Sequence, residues 1–216
     1  MMETQVRRLI LLFLPVMLLA QTASGDGLPS WRPDGSSGGV QIERRDVPGS
    51  HFDALRLTIV SSASLERLCD AIYPPTFDGK LERGFKRRDL LRETGSERWT
   101  YEQISVPVVS DRDYVIHTTR NQAASTGRCE VTFETTTDPS RPPVSGFVRI
   151  PVVRGHWDLT PTADGRVLIH YEIFSEPGGG IPAFLAKGSQ RSTAVDFMKL
   201  ILSRASAPPA TPPPGT

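Results

Sequence analysis

Cysteine and histidine, the residues that most often bind metal ions, are scarce in this sequence of 216 residues. There are two cysteines, Cys69 and Cys129, and neither is part of a Cys-x-x-Cys pair. The four histidines share no metal-ligand spacing; they are His51, His117, His156 and His170. The sequence therefore predicts no metal site, and it contains no motif that would indicate another cofactor.

Excess charge and long apolar runs are missing as well. The formal net charge is +1, and without the first 25 residues the numbers of basic and acidic side chains are equal. A neutral chain lacks the broad basic surface that binds nucleic acid, so we expect no nucleic-acid partner. The apolar run at residues 9–20 has 12 residues, whereas a membrane-spanning helix needs about 20. Affinity for a partner is therefore expected to come from shape and apolar contact.

The start of the chain has the three parts of a cleavable secretory signal. Arg7 and Arg8 precede the apolar run, and small residues follow it at positions 20–25. This order predicts that residues 1–25 are a signal peptide and that the mature protein is periplasmic or secreted. An uncleaved membrane anchor is the alternative, although the run is short for one.

The two cysteines allow two interpretations. Export would permit a disulfide between Cys69 and Cys129, but the sequence does not show whether they approach each other. Both fall on apolar positions of their segments. We therefore favour two buried free thiols that pack as small core residues.

Composition divides the rest of the chain into three parts. Residues 26–39 are rich in Gly, Ser, Pro and Asp and predict a linker, and residues 206–216 predict a disordered Pro-rich tail. Residues 40–205 are expected to form one domain. The linker contains Gly35-Ser36-Ser37-Gly38-Gly39, which matches the G-x-S-x-G pattern of hydrolases. That pattern needs a strand before it and a helix after it, and neither is expected here, so we interpret the match as a coincidence.

Alternation of apolar and polar residues predicts an antiparallel sheet. In the clearest case, Cys129, Val131 and Phe133 alternate with polar residues. Further strand segments are expected near residues 40–45, 55–59, 85–92, 98–102, 114–120, 147–153, 156–159 and 166–173. One apolar and one polar face is typical of a sheet that is covered on one side.

Two segments have a helical period instead. The first opens at Ser64 and ends at Ile72, before two prolines. The second is expected from about Pro182 to Arg204 and must lie against the sheet. Its stripe, at steps of three and four residues, consists of Phe184, Gly188, Arg191, Val195, Met198 and Leu202.

Gly188 and Arg191 occupy stripe positions where a filled core would have large apolar side chains. A small residue that leaves space, beside a long polar residue, suits a pocket for a small molecule. The alternative is a filled core, in which Gly188 permits close helix–sheet contact and Arg191 reaches the edge. The residues leave both alternatives open.

From residue 99 onward, the chain resembles the START domain, a lipid-transfer fold. The matching segments, in order, are W-T-Y-E at 99–102, D-R-D-Y-V at 111–115, G-F-V-R at 146–149, G-H-W-D-L-T-P at 155–161 and P-G-G-G-I-P at 177–182. The resemblance implies an α+β helix-grip fold, in which a curved antiparallel sheet wraps around a long C-terminal helix. Such domains bind one sterol, phospholipid or other hydrophobic molecule in a cavity and usually catalyse no reaction.

The resemblance also implies that Arg112 faces the cavity, where family members often pair an arginine with an acidic residue on the preceding strand. Here that strand offers Asp89 as its only acidic neighbour, so the ion pair is expected to be shifted, or Arg112 to contact the ligand. Strand alternation and the helix stripe complete the predicted ligand-binding set. This set is Trp99, Tyr101, Arg112, Tyr114, Ile116, Val131, Phe133, Ile169, Tyr171, Phe184, Gly188, Arg191, Val195 and Met198.

We therefore expect a monomeric, non-enzymatic protein that binds a hydrophobic small molecule or lipid without a cofactor and makes at most transient membrane contact. Two alternatives stay open. An enzyme of the helix-grip superfamily, such as a cyclase or hydrolase, would need an acid–base pair inside the cavity. A structural interaction domain would have a filled cavity.

Overall fold

The computed structural model describes residues 29–77, 79, 81–82, 84–106, 109–123, 127–181 and 183–207, with the backbone alone at residues 123 and 183–187. The predicted signal peptide and nearly all of the predicted tail lie outside these residues. The strands are β1 (Arg32–Ser37), β2 (Val40–Asp46), β3 (Asp53–Ser61), β4 (Phe85–Thr94), β5 (Glu97–Ile104), β6 (Asp111–Ala123), β7 (Arg128–Thr136), β8 (Phe147–Arg149), β9 (Val152–Pro161) and β10 (Val167–Glu176). The helices are α1 (Leu65–Ile72) and α2 (Ala183–Ser206).

All ten strands form one open sheet in the order β1-β2-β3-β10-β9-β7-β6-β5-β4, and β8 pairs with β6 beside this path. The neighbours along the path are antiparallel, whereas β8 runs parallel to β6. The long helix α2 packs against one side, which we call the inner face. This arrangement confirms the predicted α+β helix-grip architecture.

The first strand, β1, occupies residues that we expected to form a linker. It pairs with β2, and Arg32 donates two hydrogen bonds of 2.8 Å to Asp46 across the pair. Gly38 and Gly39 have φ values of 59° and 84° at the turn between the strands, which glycine adopts without strain. The glycines that suggested a linker therefore form a hairpin turn, and the linker prediction is wrong for β1.

The predicted strand at residues 147–153 is also corrected, because it consists of two strands. Ile150 and Pro151 separate β8 from β9, and Ile150 donates its backbone N–H to the carbonyl of Asp113 at 2.9 Å. Proline has no N–H to donate to a sheet, which explains the break at residue 151.

The main hydrophobic core lies between the inner face and both helices. Its fully buried side chains include Leu57, Trp157, Ile169 and Met198. The rings of Trp157 and Tyr171 stack at a centroid distance of 3.9 Å, and Phe197 of α2 meets both edge-on. The C-terminal half of α2 is thus fixed to the sheet by apolar packing.

Helix α1 is joined to the sheet by a disulfide. Ser64 caps its first turn by accepting a hydrogen bond from the N–H of Arg67, and Leu68 and Cys69 point into the core. Cys69 is bonded to Cys129 of β7, with 6.2 Å between their Cα atoms. Our preference for two free thiols is therefore wrong. Both cysteines do lie in the core, but α1 crosses β7 closely enough to join them.

Candidate functional site

A second apolar cluster occupies the inner face near the start of α2. Tyr114, Ile116 and Ile150 are buried there, and Ile104 and Val153 pack against them. Phe133 contacts both this cluster and the main core. The cluster therefore continues the core along the inner face from β7 toward β5.

Buried polar groups border this cluster on β4, β5 and β6. Glu102 accepts hydrogen bonds from the Tyr114 hydroxyl at 2.7 Å, from Arg88 Nε at 2.8 Å and from the Thr100 hydroxyl at 3.3 Å. Burial, followed by the nearby charge of Glu102, raises the pKa of Tyr114 well above its usual value, so its hydroxyl stays protonated and acts as a donor.

Glu82 connects this polar group to α2. One of its carboxylate oxygens lies 2.8 Å from Arg88 Nη1, and the other lies 2.7 Å from Arg204 Nη2 in the last turn of α2. We call Glu82, Arg88, Glu102, Tyr114 and Arg204 the polar cluster. Its two carboxylates and two guanidinium groups neutralise each other.

Arg112 lies on the same face of β6 as Tyr114, and only 2% of it is exposed. It donates hydrogen bonds to the backbone carbonyls of Ser110, Pro177 and Gly178, the last two at 3.3 Å. Burial lowers the pKa of Arg112, although a guanidinium remains charged. Arg112 therefore lies where the β5–β6 loop meets the turn that leads into α2.

The adjacent residue, Asp113, points to the opposite, outer face. Arg149 holds its carboxylate with two hydrogen bonds of 2.9 Å, and the Tyr101 hydroxyl donates to it at 3.0 Å. Arg149 also donates to the carbonyls of Arg141 and Pro142. These bonds hold the chain before β8 against the outer face.

Comparisons with known proteins agree with this geometry. A STAR-related lipid transfer protein from Xanthomonas axonopodis has a structure that matches with a TM-score of 0.71 and 28% identity, over 82% of this chain and 99% of that chain. Human StAR-related lipid transfer protein 5 matches in fold, with a TM-score of 0.70 and 15% identity over 81% of this chain and 86% of its own. The chain has a START-like fold.

One sequence relative adds no description of function. An uncharacterized protein of Pseudomonas aeruginosa is 29% identical over 180 residues, which are 81% of this chain and 86% of that protein. No protein-family model matches the sequence.

The START-like inner face collects seven of the predicted ligand-binding residues from the sheet. They are Arg112, Tyr114, Ile116, Val131, Phe133, Ile169 and Tyr171. Val195 and Met198 of α2 face the same side but lie within the main core, where 4% and 0% of each residue is exposed. The structure thus places both in packed surroundings. Ligand contact for these nine residues stays a prediction.

Trp99 and Tyr101 lie on the outer face, which corrects their expected orientation. Trp99 stacks on His117 at a centroid distance of 4.2 Å, and Tyr101 lies opposite Val115 on β6. Their neighbours Thr100 and Glu102 are the β5 residues that face inward, beside Ile116 and Tyr114. On this face Arg92 lies over the Trp99 ring and Arg141, from the chain before β8, lies over the Tyr101 ring, so apolar character did not indicate the inner face.

The predicted polar position on α2 is corrected as well. Arg191 is half-exposed, and its Nε lies 3.3 Å from a carboxylate oxygen of Asp34 in β1. Gly188 is exposed, and a Cβ atom there would meet no atom within 4 Å. The side chain of Phe184 lies outside the described residues. Arg191 therefore ties α2 to the edge of the sheet and does not enter the second apolar cluster.

Of the polar cluster, Tyr114 is in the predicted ligand-binding set and the other four residues are not. We assigned Asp89 as the available acid, but Asp89 pairs with Arg87 at 2.7 Å and Arg141 at 2.9 Å. The acids of the polar cluster are Glu82, from the loop before β4, and Glu102. The alternation of Arg98, Thr100 and Glu102 on β5 was a usable signal, since these three residues share a face.

An open groove of about 460 Å³ crosses the outer face of the sheet. Its lining carries charges of both signs, including Arg45, Arg154, Glu134 and Glu172. Apolar side chains such as Phe174 line it as well, and the groove lies on the side opposite α2, so it is not the expected cavity between the sheet and that helix. No group of three or more potential metal ligands occurs among the described residues, and in the same part of the chain no helix is long and apolar enough to span a bilayer.

Proposed function

We propose that this protein binds a single hydrophobic, lipid-like molecule, such as a sterol or phospholipid, between the inner face and the N-terminal part of α2, and transfers or senses it unchanged. The observation that carries this proposal is an apolar cluster beside buried, internally neutralised polar groups in a START-like fold. Ligand pockets are mostly apolar with a few placed polar groups.

The comparison with the lipid transfer protein from Xanthomonas axonopodis supports this proposal. The similarity extends over 82% of this chain at 28% identity, and that protein is described as a lipid transfer protein. Transfer of a lipid requires shape and apolar contact, which the inner face offers in Ile104, Ile116 and Phe133.

A helix-grip enzyme is the alternative, and the polar cluster argues against it. General acid–base catalysis needs a group that is free to exchange a proton with the substrate. Glu102 accepts three hydrogen bonds, and Glu82 contacts two guanidinium groups. Among the described residues, these inner-face carboxylates are thus committed to ion pairs. We propose binding without chemical change.

We also propose that the protein acts outside the cytoplasm, after removal of residues 1–25. The Cys69–Cys129 disulfide supports this location, because disulfides persist in oxidising compartments such as the periplasm. N-terminal sequencing of the mature protein tests the proposal. An intact Met1 in the mature protein would refute the cleavage.

Native mass spectrometry of protein purified from its own host tests the binding proposal. We expect a mass increase equal to one lipid-like molecule, which organic solvent then extracts. The same protein is next incubated with a total lipid extract, and the lipids are analysed before and after. One bound, unmodified lipid supports the proposal. Lipid modified with turnover would support the enzyme, and an empty protein in both experiments would support the filled core.

A further inference from the structure

Residues 177–180 form the turn between the end of β10 and α2. The backbone of this turn is bonded to one charged side chain of the sheet, Arg112. Arg112 donates through Nε to the Pro177 carbonyl and through Nη2 to the Gly178 carbonyl, both at 3.3 Å. Its Nη1 donates to the Ser110 carbonyl in the β5–β6 loop. One guanidinium therefore joins two chain segments that are 65 or more residues apart.

The acceptors of Arg112 differ from those of the arginines around it. Arg88, Arg98 and Arg149 each form a salt bridge with a carboxylate. Arg112 forms none with the carboxylates of the described residues, and the adjacent Asp111 bonds to Lys86 instead. Hydrogen bonds to neutral carbonyls are weaker than those of a full ion pair. The contact of Arg112 with the turn therefore depends on backbone carbonyls alone.

The turn itself is shaped to lie against Arg112. Gly178 and Gly179 have φ values of 64° and 63°, which side chains disfavour. A Cβ atom on Gly178 would lie 3.1 Å from Pro151, and one on Gly179 would lie 3.6 Å from Arg112 Nη2. Gly178 thus lets the backbone approach Pro151 closely, and the positive φ values suit glycine at both positions of the turn.

The two ends of α2 are held differently. Toward the C-terminus, Met198 and Ile201 are buried in the main core and Arg204 pairs with Glu82. Toward the N-terminus, Gln190 donates to the Ser175 carbonyl at 2.7 Å and Arg191 pairs with Asp34. Among the charged side chains that the structure describes, Arg112 is the one that bonds residues 177–189 to the sheet.

We propose that Arg112 is a positioning residue that keeps the site under α2 closed: by holding the 177–180 turn, it limits how often the first turns of α2 move away, and so sets the rate of ligand exchange. The part of this proposal that concerns the ligand rests on the proposed function. The part that concerns the turn does not, because it applies to the ligand-free protein.

Hydrogen exchange on the full mature chain tests the role of Arg112 at the turn. In Arg112→Gln, we expect the backbone amides of residues 177–189 to exchange about tenfold faster or more, since bonds from a charged donor are lost. The amides of β7, β9 and β10 should keep wild-type rates. Arg204→Gln is the matched control, because it removes the same charge at the other end of α2 and should leave residues 177–189 unchanged.

Arg112→Lys provides a second variant that keeps the charge but cannot reach three carbonyls at once, so its exchange rates should fall between those of the wild type and Arg112→Gln. Faster exchange spread evenly over all strands in both variants would overturn the proposal, because Arg112 would then support only global stability. Unchanged exchange at residues 177–189 would overturn it too.

Release of a fluorescent phosphatidylcholine into unlabelled vesicles tests the effect of Arg112 on the rate of ligand exchange. We expect Arg112→Gln to release this probe at least several-fold faster than the wild type, with a smaller change in equilibrium affinity. Faster local exchange with an unchanged release rate would overturn the link to ligand exchange. If the wild type binds neither this probe nor a lipid from its host, the proposed function fails, while the hydrogen-exchange result still decides the role of Arg112 at the turn.

Discussion

The hydroxyl of Tyr114 donates to the carboxylate of Glu102 at 2.7 Å on the inner face of the sheet. The hydroxyl of Tyr101 makes the same kind of bond, to Asp113 at 3.0 Å, on the outer face. Both tyrosines are buried. The two residues therefore offer the same chemistry on opposite sides of one sheet, and only Tyr114 borders the proposed site.

We predict that Tyr114→Phe weakens lipid binding and that Tyr101→Phe does not. Each substitution removes one hydrogen bond to a buried carboxylate, and Tyr101→Phe also removes the bond that Gln103 donates to the hydroxyl at 2.9 Å. Each should lower the free energy of unfolding by about 1–3 kcal/mol. Urea unfolding measures that loss, and a lipid-binding assay on the same samples measures affinity. Equal effects of the two substitutions on binding would mean that the ligand does not lie on the inner face.

Reduction of the Cys69–Cys129 disulfide should destabilise the protein by about 4 kcal/mol, because the bond closes a long loop in the unfolded chain. The sequence separation of the two cysteines is 60 residues. Urea unfolding with and without reductant measures the change, and a thiol assay on the unfolded, unreduced protein should find no free thiol. A Cys69→Ala/Cys129→Ala variant should be insensitive to reductant. Equal stability of the oxidised and reduced wild type would contradict this prediction.

The strands and helices were largely predictable because each follows a local period. Ser64 marked the start of α1, and the alternation around Val131 marked β7. The pairing of Cys69 with Cys129 was not predictable, since it depends on where α1 crosses the sheet. The strand β1 was missed because Gly38 and Gly39 suit a linker and a hairpin turn equally well.

The candidate site was less predictable than the fold because apolar character alone does not indicate which face is inward. On β5, Trp99 and Tyr101 point outward, where the guanidinium groups of Arg92 and Arg141 cover them, and Glu102 points inward. Glu102 can be buried there because Arg88 and Tyr114 reach it from the strands on either side. Such compensation depends on neighbouring strands, which the sequence of β5 does not contain.

All four tyrosines should resist ionisation in the folded protein. Burial is the first cause that raises the pKa of each above the usual value of about 10, and the four are Tyr73, Tyr101, Tyr114 and Tyr171. Above pH 10 the folded chain therefore binds protons that the unfolded chain has released. The stabilisation is complete below about pH 10 and declines as the pH rises further.

Absorbance at 295 nm, which reports tyrosinate, checks this expectation. The folded protein should show less tyrosinate at pH 10 than the same protein in urea, and Tyr114→Phe should lose part of the alkaline decline in stability. Superimposable titration curves for the folded and unfolded protein would contradict the expectation.

The last prediction concerns the C-terminal half of α2, where Val195 and Met198 face the main core. Since Val195 is 4% exposed, Val195→Trp should overpack the core and lower the free energy of unfolding by about 1–3 kcal/mol. Thr193→Trp is the control, because residue 193 is exposed on the same helix and the change should be within about 0.5 kcal/mol. Thermal unfolding of ligand-free protein and a lipid-binding assay measure both variants. If Val195→Trp is as stable as the wild type but no longer binds lipid, the cavity extends to this half of α2, because the indole then occupies space that the ligand needs.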